Sequence, residues 1–135
     1  KHQIDELFLH NKLELEKLNS IHPSSLYDLK KYYPKTWAKF DQITKKKGYD
    51  FISNNLKRGV ELGVYRKEIN VEILAKILTE KFEIIFNQAV FSSPSISFAT
   101  IYQELMSHYI YGIVNDSGKE YFEENKEKFM SNETN

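Results

Sequence analysis

The fold is decided by residues 70–91, which read NVEILAKILTEKFEIIFNQAVF. Apolar residues recur there at three- and four-residue steps, the spacing of one side of an α-helix. One apolar face is made by Val71, Leu74, Leu78, Phe82, Ile85, Phe86 and Ala89. A second apolar face is made by Ile73, Ile77, Ile84 and Phe91. A helix with so wide an apolar arc must be covered on two sides, and in a small domain one cover can be the core and the other a second subunit.

The same spacing predicts helices throughout the rest of the chain. Their expected ranges are about 2–19, 25–33, 34–62, 96–114 and 118–130. Ser25 and Ser117 each precede an acidic residue by three positions, so we expect capping boxes there. Pro34 suits a first helical turn and Gly63 a helix end. We therefore predict an all-α fold of about six helices in one domain over residues 1–135.

The composition excludes several classes of protein. The chain has 135 residues and no cysteine, so disulfide scaffolds, thiolate metal sites and cysteine nucleophiles are excluded. No apolar segment is long enough to span a bilayer. We expect a soluble cytoplasmic protein with no membrane partner.

The charges are balanced overall but unevenly distributed. Nineteen basic and 19 acidic residues give a formal net charge of zero, which argues against strong binding of nucleic acid by the chain itself. Residues 28–67 hold eleven Lys or Arg against four Asp or Glu. This basic middle fits either an anionic partner or a set of solvated helix faces. Within it, we expect residues 30–47 to lie near a DNA-binding domain or the DNA backbone.

Side chains that support catalysis are not grouped in the sequence. No two of the four histidines, at positions 2, 10, 22 and 108, are spaced as His-x-x-x-His, and none follows a carboxylate in a Glu-x-x-His pattern. No phosphate-binding loop or nucleophile elbow is present. We therefore expect no enzyme activity, no metal and no cofactor.

Aromatic residues at helical spacing are the other conspicuous feature. They predict either an apolar cavity between helices, with tyrosine hydroxyls to orient a small hydrophobic ligand, or a solid aromatic core. The residues expected to line the cavity are Tyr33, Trp37, Phe40, Phe82, Phe86, Tyr102 and Tyr109.

Three stretches resemble the C-terminal domain of TetR-family (tetracycline-repressor-like) transcriptional regulators. Residues 56–75, LKRGVELGVYRKEINVEILA, are similar to a helix junction of that domain. Residues 105–113, LMSHYIYGI, followed by Ser117 and Gly118, resemble its last dimer-forming helix. Residues 24–34, SSLYDLKKYYP, resemble one bacterial branch. The resemblance covers nearly the whole chain and depends on the order and spacing of these stretches.

The resemblance implies a ligand-binding and dimerisation domain whose N-terminal helix-turn-helix is absent from this chain, which we therefore expect to be a fragment. Helices 70–91 and 96–114 would pair with those of a second copy in a four-helix bundle. The implied interface consists of Ile73, Ile77, Ile84, Phe91, Phe98, His108 and Gly112. A small hydrophobic effector would shift the spacing of the DNA-binding domains, so operator DNA is a partner only through the missing domain. The rival hypotheses are a ligand-free helical interaction module and a small helical enzyme.

Overall fold

A computed structural model of the chain describes residues 2–21, 23–85, 90–91 and 95–131. The described residues form six α-helices and no sheet, which confirms the predicted all-α class. The helices are α1 (Gln3–Asn19), α2 (Pro23–Tyr32), α3 (Pro34–Glu61), α4 (Val71–Ile84), α5 (Phe98–Ile113) and α6 (Asp116–Met130). Within the described ranges, no helix is long and apolar enough to cross a membrane.

The core lies where α1, α5 and α6 meet the C-terminal half of α3. Complete burial of one such apolar side chain contributes roughly 1.5–3 kcal/mol to stability. The residues at the centre of the core are Ile4 and Leu7 of α1, Leu56 of α3, Met106 and Ile110 of α5, and Phe122 of α6. The N-terminal half of α3 contributes no fully buried residue to this core.

Helices α1 and α3 run antiparallel. The amide of Asn55 donates to the carbonyl oxygen of Gln3 over 2.8 Å, and the ring of His10 stacks on Phe51 with centroids 3.8 Å apart. As the residue number rises in α1, it falls in α3. The first half of α3 therefore extends past the C-terminal end of α1, where α2 packs against it.

Helix α3 is continuous through the sequence Lys45-Lys46-Lys47-Gly48, in spite of the glycine. Helix α4 supports this segment. A Cβ added to Gly48 would lie at ordinary contact distance, 3.8 Å, from Thr79 of α4. The ammonium of Lys45 lies 3.4 Å from Glu80 and 3.5 Å from Glu83.

A compact junction joins the α3–α4 loop to the α5–α6 turn. Gly63 has a φ of +76°, a left-handed conformation that glycine adopts without steric cost. Tyr65 pairs with Val114 in an isolated antiparallel bridge. The guanidinium of Arg66 donates twice to the carbonyl oxygen of Gly112, over 2.9 and 2.7 Å. Residues that are distant in sequence thereby fix the relative positions of α3 and α5.

Both predicted capping boxes are wrong. Helix α2 begins at Pro23 rather than Ser25, because proline already fits a first helical position. Helix α6 is capped by Asn115, whose side chain accepts from the backbone N–H of Gly118 over 3.0 Å. Asn115 also donates to the Gly63 carbonyl, so a hydrogen bond to the α3–α4 loop holds the Asn115 side chain in the capping position.

The ranges of α4 and α5 also differ from the prediction. Helix α4 ends at Ile84 with Ile85 as its C-cap, and Phe91 lies in a bend. Helix α5 begins after the Ser97 cap and ends at Ile113, because Val114 turns extended to pair with Tyr65. Pairing with Tyr65 sets the C-terminal end of α5, and the apolar periodicity of the sequence does not report such pairing.

Replacement of Gly59 tests the junction. A Cβ there would lie 2.0 Å from the ring of the fully buried Tyr65. We expect Gly59→Ala to lower the free energy of unfolding by about 1–3 kcal/mol, because the ring must shift inside a packed core. Urea denaturation measures this change.

Gly48→Ala, in the same helix, is the matched control. A Cβ added to Gly48 would lie at an ordinary contact distance of 3.8 Å from Thr79, so alanine should stabilise the helix interior by up to about 1 kcal/mol. Equal effects of the two substitutions would contradict the account of Gly59.

Candidate functional site

A groove of about 120 Å³ lies between α4 and α5. Exposed groups such as His108 contribute to it, so it reaches the surface. Its lining is mainly apolar and consists of Leu74, Ile77, Leu78, Lys81, Leu105, His108, Tyr109, Gly112 and Ile113. A dry engineered cavity of roughly 150 Å³ holds a benzene molecule, so this groove accepts about one ring-sized group.

The groove carries few polar groups. Tyr109 borders the groove, but its hydroxyl oxygen is buried and has no hydrogen-bond partner among the described residues, and burial raises the pKa of this phenol above its ordinary value. Lys81 and His108 are exposed and supply cationic or hydrogen-bonding groups at the rim. The arrangement suits a small apolar molecule and brings no pair of catalytic side chains together.

The residues predicted to line a cavity lie in different environments. Tyr33 and Phe40 are 63% and 47% exposed, so they line no enclosed space, while Trp37 is half-buried beside Phe40. Phe82 of α4 meets Tyr102 of α5 edge to face, with centroids 6.3 Å apart. Of the remaining two residues, Tyr109 lines the groove and Phe86 lies outside the described residues.

The seven residues implied as a dimer interface are all exposed. Ile73 is 55% exposed, Ile77 43% and Ile84 45%, although the same helix buries Ala75 and Leu78 against the core. The other four, Phe91, Phe98, His108 and Gly112, are also exposed. Three of the seven, Ile77, His108 and Gly112, border the groove as well.

Gly112 lies inside α5, where either the close approach of another helix or a weak spot near the helix end would account for a glycine. Within the described chain, nothing lies within 4 Å of a Cβ added there. None of the described helices approaches it closely, and its carbonyl oxygen accepts from Arg66.

A buried polar network in the core was missed at the sequence level. The hydroxyl of Tyr65 donates to the side-chain oxygen of Asn55 over 2.7 Å, and the Asn55 amide donates to Gln3. The Gln3 side-chain nitrogen is buried with no hydrogen-bond partner in the described part of the chain. Asn55 falls on the core-facing stripe of α3 with Ile52, Leu56 and Gly59. A polar residue in that stripe was the signal that could have revealed the network.

A second polar contact joins α1 to α5. The amide nitrogen of Asn11 lies 3.5 Å from the sulfur of Met106. Burial raises the pKa of Tyr102 to about 12, although a hydrogen bond with Asn11 lowers it in part. Helix α1 is thus held to α5 through partly apolar, partly polar contacts.

Helix α1 is also anchored to α6. The Tyr121 hydroxyl donates to the carboxylate of Asp5, and the ammonium of Lys128 lies 3.1 Å from the same carboxylate. Burial alone would raise the pKa of Asp5, but the Tyr121 hydrogen bond and Lys128 outweigh it and hold the pKa below its ordinary value. The hydrogen bond in turn raises the pKa of Tyr121 to about 12.

Two further observations concern metal ions and known proteins. In the part of the chain that the structure describes, no three His, Asp or Glu side chains are grouped to hold a metal ion. No protein-family model, no curated protein and no solved structure matches this chain.

Tyr121→Phe tests the α1–α6 anchor through its pH dependence. The variant should lose about 1–2 kcal/mol of stability at pH 7, because the Asp5 carboxylate loses its phenolic donor. A lowered folded-state pKa stabilises the protein fully above about pH 4, and this contribution disappears as the pH falls through the lowered value. The difference from wild type should therefore shrink in strong acid, as measured by urea denaturation at several pH values.

Tyr111→Phe is the control, since this exposed hydroxyl makes only a long 3.4 Å contact with Glu123. A loss for Tyr121→Phe that stays constant across the whole acid range would contradict the role given to Asp5.

Proposed function

We propose that the chain is the dimerisation and effector-binding domain of a bacterial, cytoplasmic transcriptional regulator of the TetR type. The observation that carries the proposal is the exposed apolar surface along α4 and α5. Four exposed apolar residues of these helices belong to the interface that the family resemblance implies: Ile73, Ile77, Ile84 and Phe98. Operator DNA would be bound by a separate N-terminal helix-turn-helix.

The exposed surface suits a second copy of the chain. Ile73, Ile77 and Ile84 recur at helical spacing on the side of α4 that faces away from α3. A two-fold symmetric pairing would place this surface against its own copy, so that two helices from each protomer form a four-helix bundle. Association then removes these isoleucines from water, at roughly 25 cal/mol for each Å² buried.

Gly112 fits the same arrangement. Glycine inside a helix costs about 1 kcal/mol relative to alanine, and no neighbour among the described residues of its own chain accounts for it. Close approach of a partner helix would explain the residue. The two hydrogen bonds from Arg66 to its carbonyl oxygen hold the backbone in place at this point.

The groove provides the effector site of the proposal. Because it lies between the two helices of the proposed interface, a bound molecule that widens it would move α4 relative to α5. Such a ligand can shift the population only by its difference in affinity for the two arrangements, typically 1–3 kcal/mol. The ring of Tyr109 would contact the bound molecule, and the rim groups Lys81 and His108 would orient it.

Helix α1 would carry the shift to the DNA-binding domain. Its first turns are held at two sides, through Gln3 to Asn55 of α3 and through Asp5 to Tyr121 of α6. A rigid attachment is required because two recognition helices must lie about 34–36 Å apart to reach successive turns of the major groove.

The alternative function is a helical interaction module without a ligand. The small volume of the groove favours this alternative, since ligand sites usually enclose roughly 300–1,000 Å³. It shares the exposed α4–α5 surface with the main proposal and differs in having no effector.

Ile77→Glu tests the dimer. A carboxylate at the centre of the proposed interface must be desolvated in both copies, so we expect the dissociation constant to rise at least about 30-fold, the effect of losing roughly 2 kcal/mol. Sedimentation velocity over a concentration series measures the change.

Leu62→Glu is the matched control, because Leu62 is equally apolar, 61% exposed and outside the proposed interface. If both variants associate like the wild type, the α4–α5 surface is not the contact between copies.

Ring-sized apolar compounds test the effector site. Indole or p-cresol at ten times its dissociation constant should raise the free energy of unfolding by about 1.4 kcal/mol, seen as a rise in melting temperature. Leu105→Phe, which fills the groove, should abolish the rise. If no such compound shifts the wild type, or if the variant responds equally, the ligand-free interaction module is the better account.

A further inference from the structure

The outward side of the first half of α3 is both cationic and apolar. At 100° per residue, the side chains of Lys35, Lys39, Phe40, Ile43 and Lys47 fall within a sector of about 140° that points away from the core-facing stripe. All five are exposed, and Phe40 and Ile43 keep nearly half of their surface in water. Nothing in the described chain covers this sector.

Helix α2 extends the same surface. Tyr27, Tyr32 and Tyr33 are each more than 60% exposed. The ammonium of Lys30 lies 4.7 Å from the centre of the Trp37 ring, which joins the two helices. No acidic residue occurs between positions 29 and 40. We call this region the tip surface: Tyr27, Lys30, Lys31, Tyr32, Tyr33, Lys35, Lys39, Phe40, Ile43 and Lys47.

The tip surface lies far from the start of α1. Phe51 stands beside His10, so Pro34 lies about 25 Å further along α3 at 1.5 Å per residue. Gln3 lies about 10 Å from His10 in the opposite direction, by the same rise. A DNA-binding domain attached before α1 would therefore leave from the other end of the molecule. The expectation that residues 30–47 lie near such a domain does not agree with this geometry.

We propose that the tip surface binds the anionic face of a phospholipid bilayer. Lysine ammonium groups attract anionic headgroups, tyrosine and tryptophan rings favour the interfacial zone, and apolar side chains enter the acyl boundary. The tip surface presents these three kinds of group together, with Phe40 and Ile43 as the inserting residues. A helix pair that binds at the bilayer surface, here α2 and α3, needs no membrane-spanning segment. This proposal therefore revises the expectation of no membrane partner.

The same observations favour lipid over single-stranded nucleic acid. Strand binding uses open aromatic faces on which bases stack. Here Lys30 lies over Trp37, and Lys31 lies over both Tyr27 and Tyr32. Ile43 has no ring to stack, whereas a bilayer accepts it readily.

The experiment uses the only tryptophan of the chain, Trp37, as its reporter. The protein is titrated with vesicles of phosphatidylglycerol and phosphatidylcholine, and separately with vesicles of phosphatidylcholine alone. We expect a blue shift of the Trp37 emission and co-sedimentation only with the anionic vesicles, and quenching by lipids brominated on the acyl chain.

Charge variants locate the contact. Each lysine near an anionic bilayer strengthens binding by roughly fivefold, so joint replacement of Lys35, Lys39 and Lys47 by glutamine should weaken it on the order of 100-fold. Joint replacement of Lys67, Lys76 and Lys119, which are exposed outside α2 and α3, removes the same charge and should have little effect. Ile43→Ser should reduce the acyl-chain quenching, and circular dichroism checks that each variant is folded.

Each remaining outcome overturns the proposal. Equal losses in the two triple variants would mean that binding depends on net charge alone. Equal binding to the neutral vesicles would remove the role of the lysines. Binding to a single-stranded oligonucleotide with no response to vesicles would assign the tip surface to nucleic acid, and no response to either would leave it a solvated helix face.

Discussion

Helix α4 carries more apolar surface than the described part of the chain covers. Helix α4 packs on α3 and buries Ala75 and Leu78 in the core, while Ile73, Ile77 and Ile84 remain in contact with water. Exposed isoleucines at helical spacing are an unfavourable feature for an isolated domain, because such a surface promotes association. Exposed residues of α5 lie next to this surface, and the groove lies between the two helices. Dimerisation and ligand binding would therefore involve the same two helices.

The rest of the structure holds α4 and α5 in a defined relation. Tyr65 lies against Gly59, pairs with Val114 and donates to Asn55, so one loop residue contacts or bonds α3, the α5–α6 turn and the polar network of the core. Arg66 bonds to the last turn of α5. A movement of α5 would therefore be transmitted to α3 and, through Asn55, to α1. The proposed regulator requires this route.

The sequence predicted the class of the fold and all six of the described helices, because apolar periodicity reports which side of a helix is buried. It did not predict where α2 and α6 begin. Proline fits a first helical position, so α2 begins at Pro23, and Asn115 caps α6 with the help of a contact to Gly63 that no local pattern shows. The exposed side of α4 was visible as a second apolar stripe. The residues predicted for an aromatic cavity do not all line one. Tyr33 and Phe40 have helical spacing, but they lie at the N-terminal end of α3, which extends beyond the core.

The central claim is that a second copy of the chain covers the free side of α4. Sedimentation equilibrium of the wild-type chain, from micromolar to millimolar concentration, tests it most directly. The account predicts a species of twice the 16.0 kDa chain mass at the upper end of this range. A folded species that keeps the mass of a single chain at millimolar concentration would contradict it.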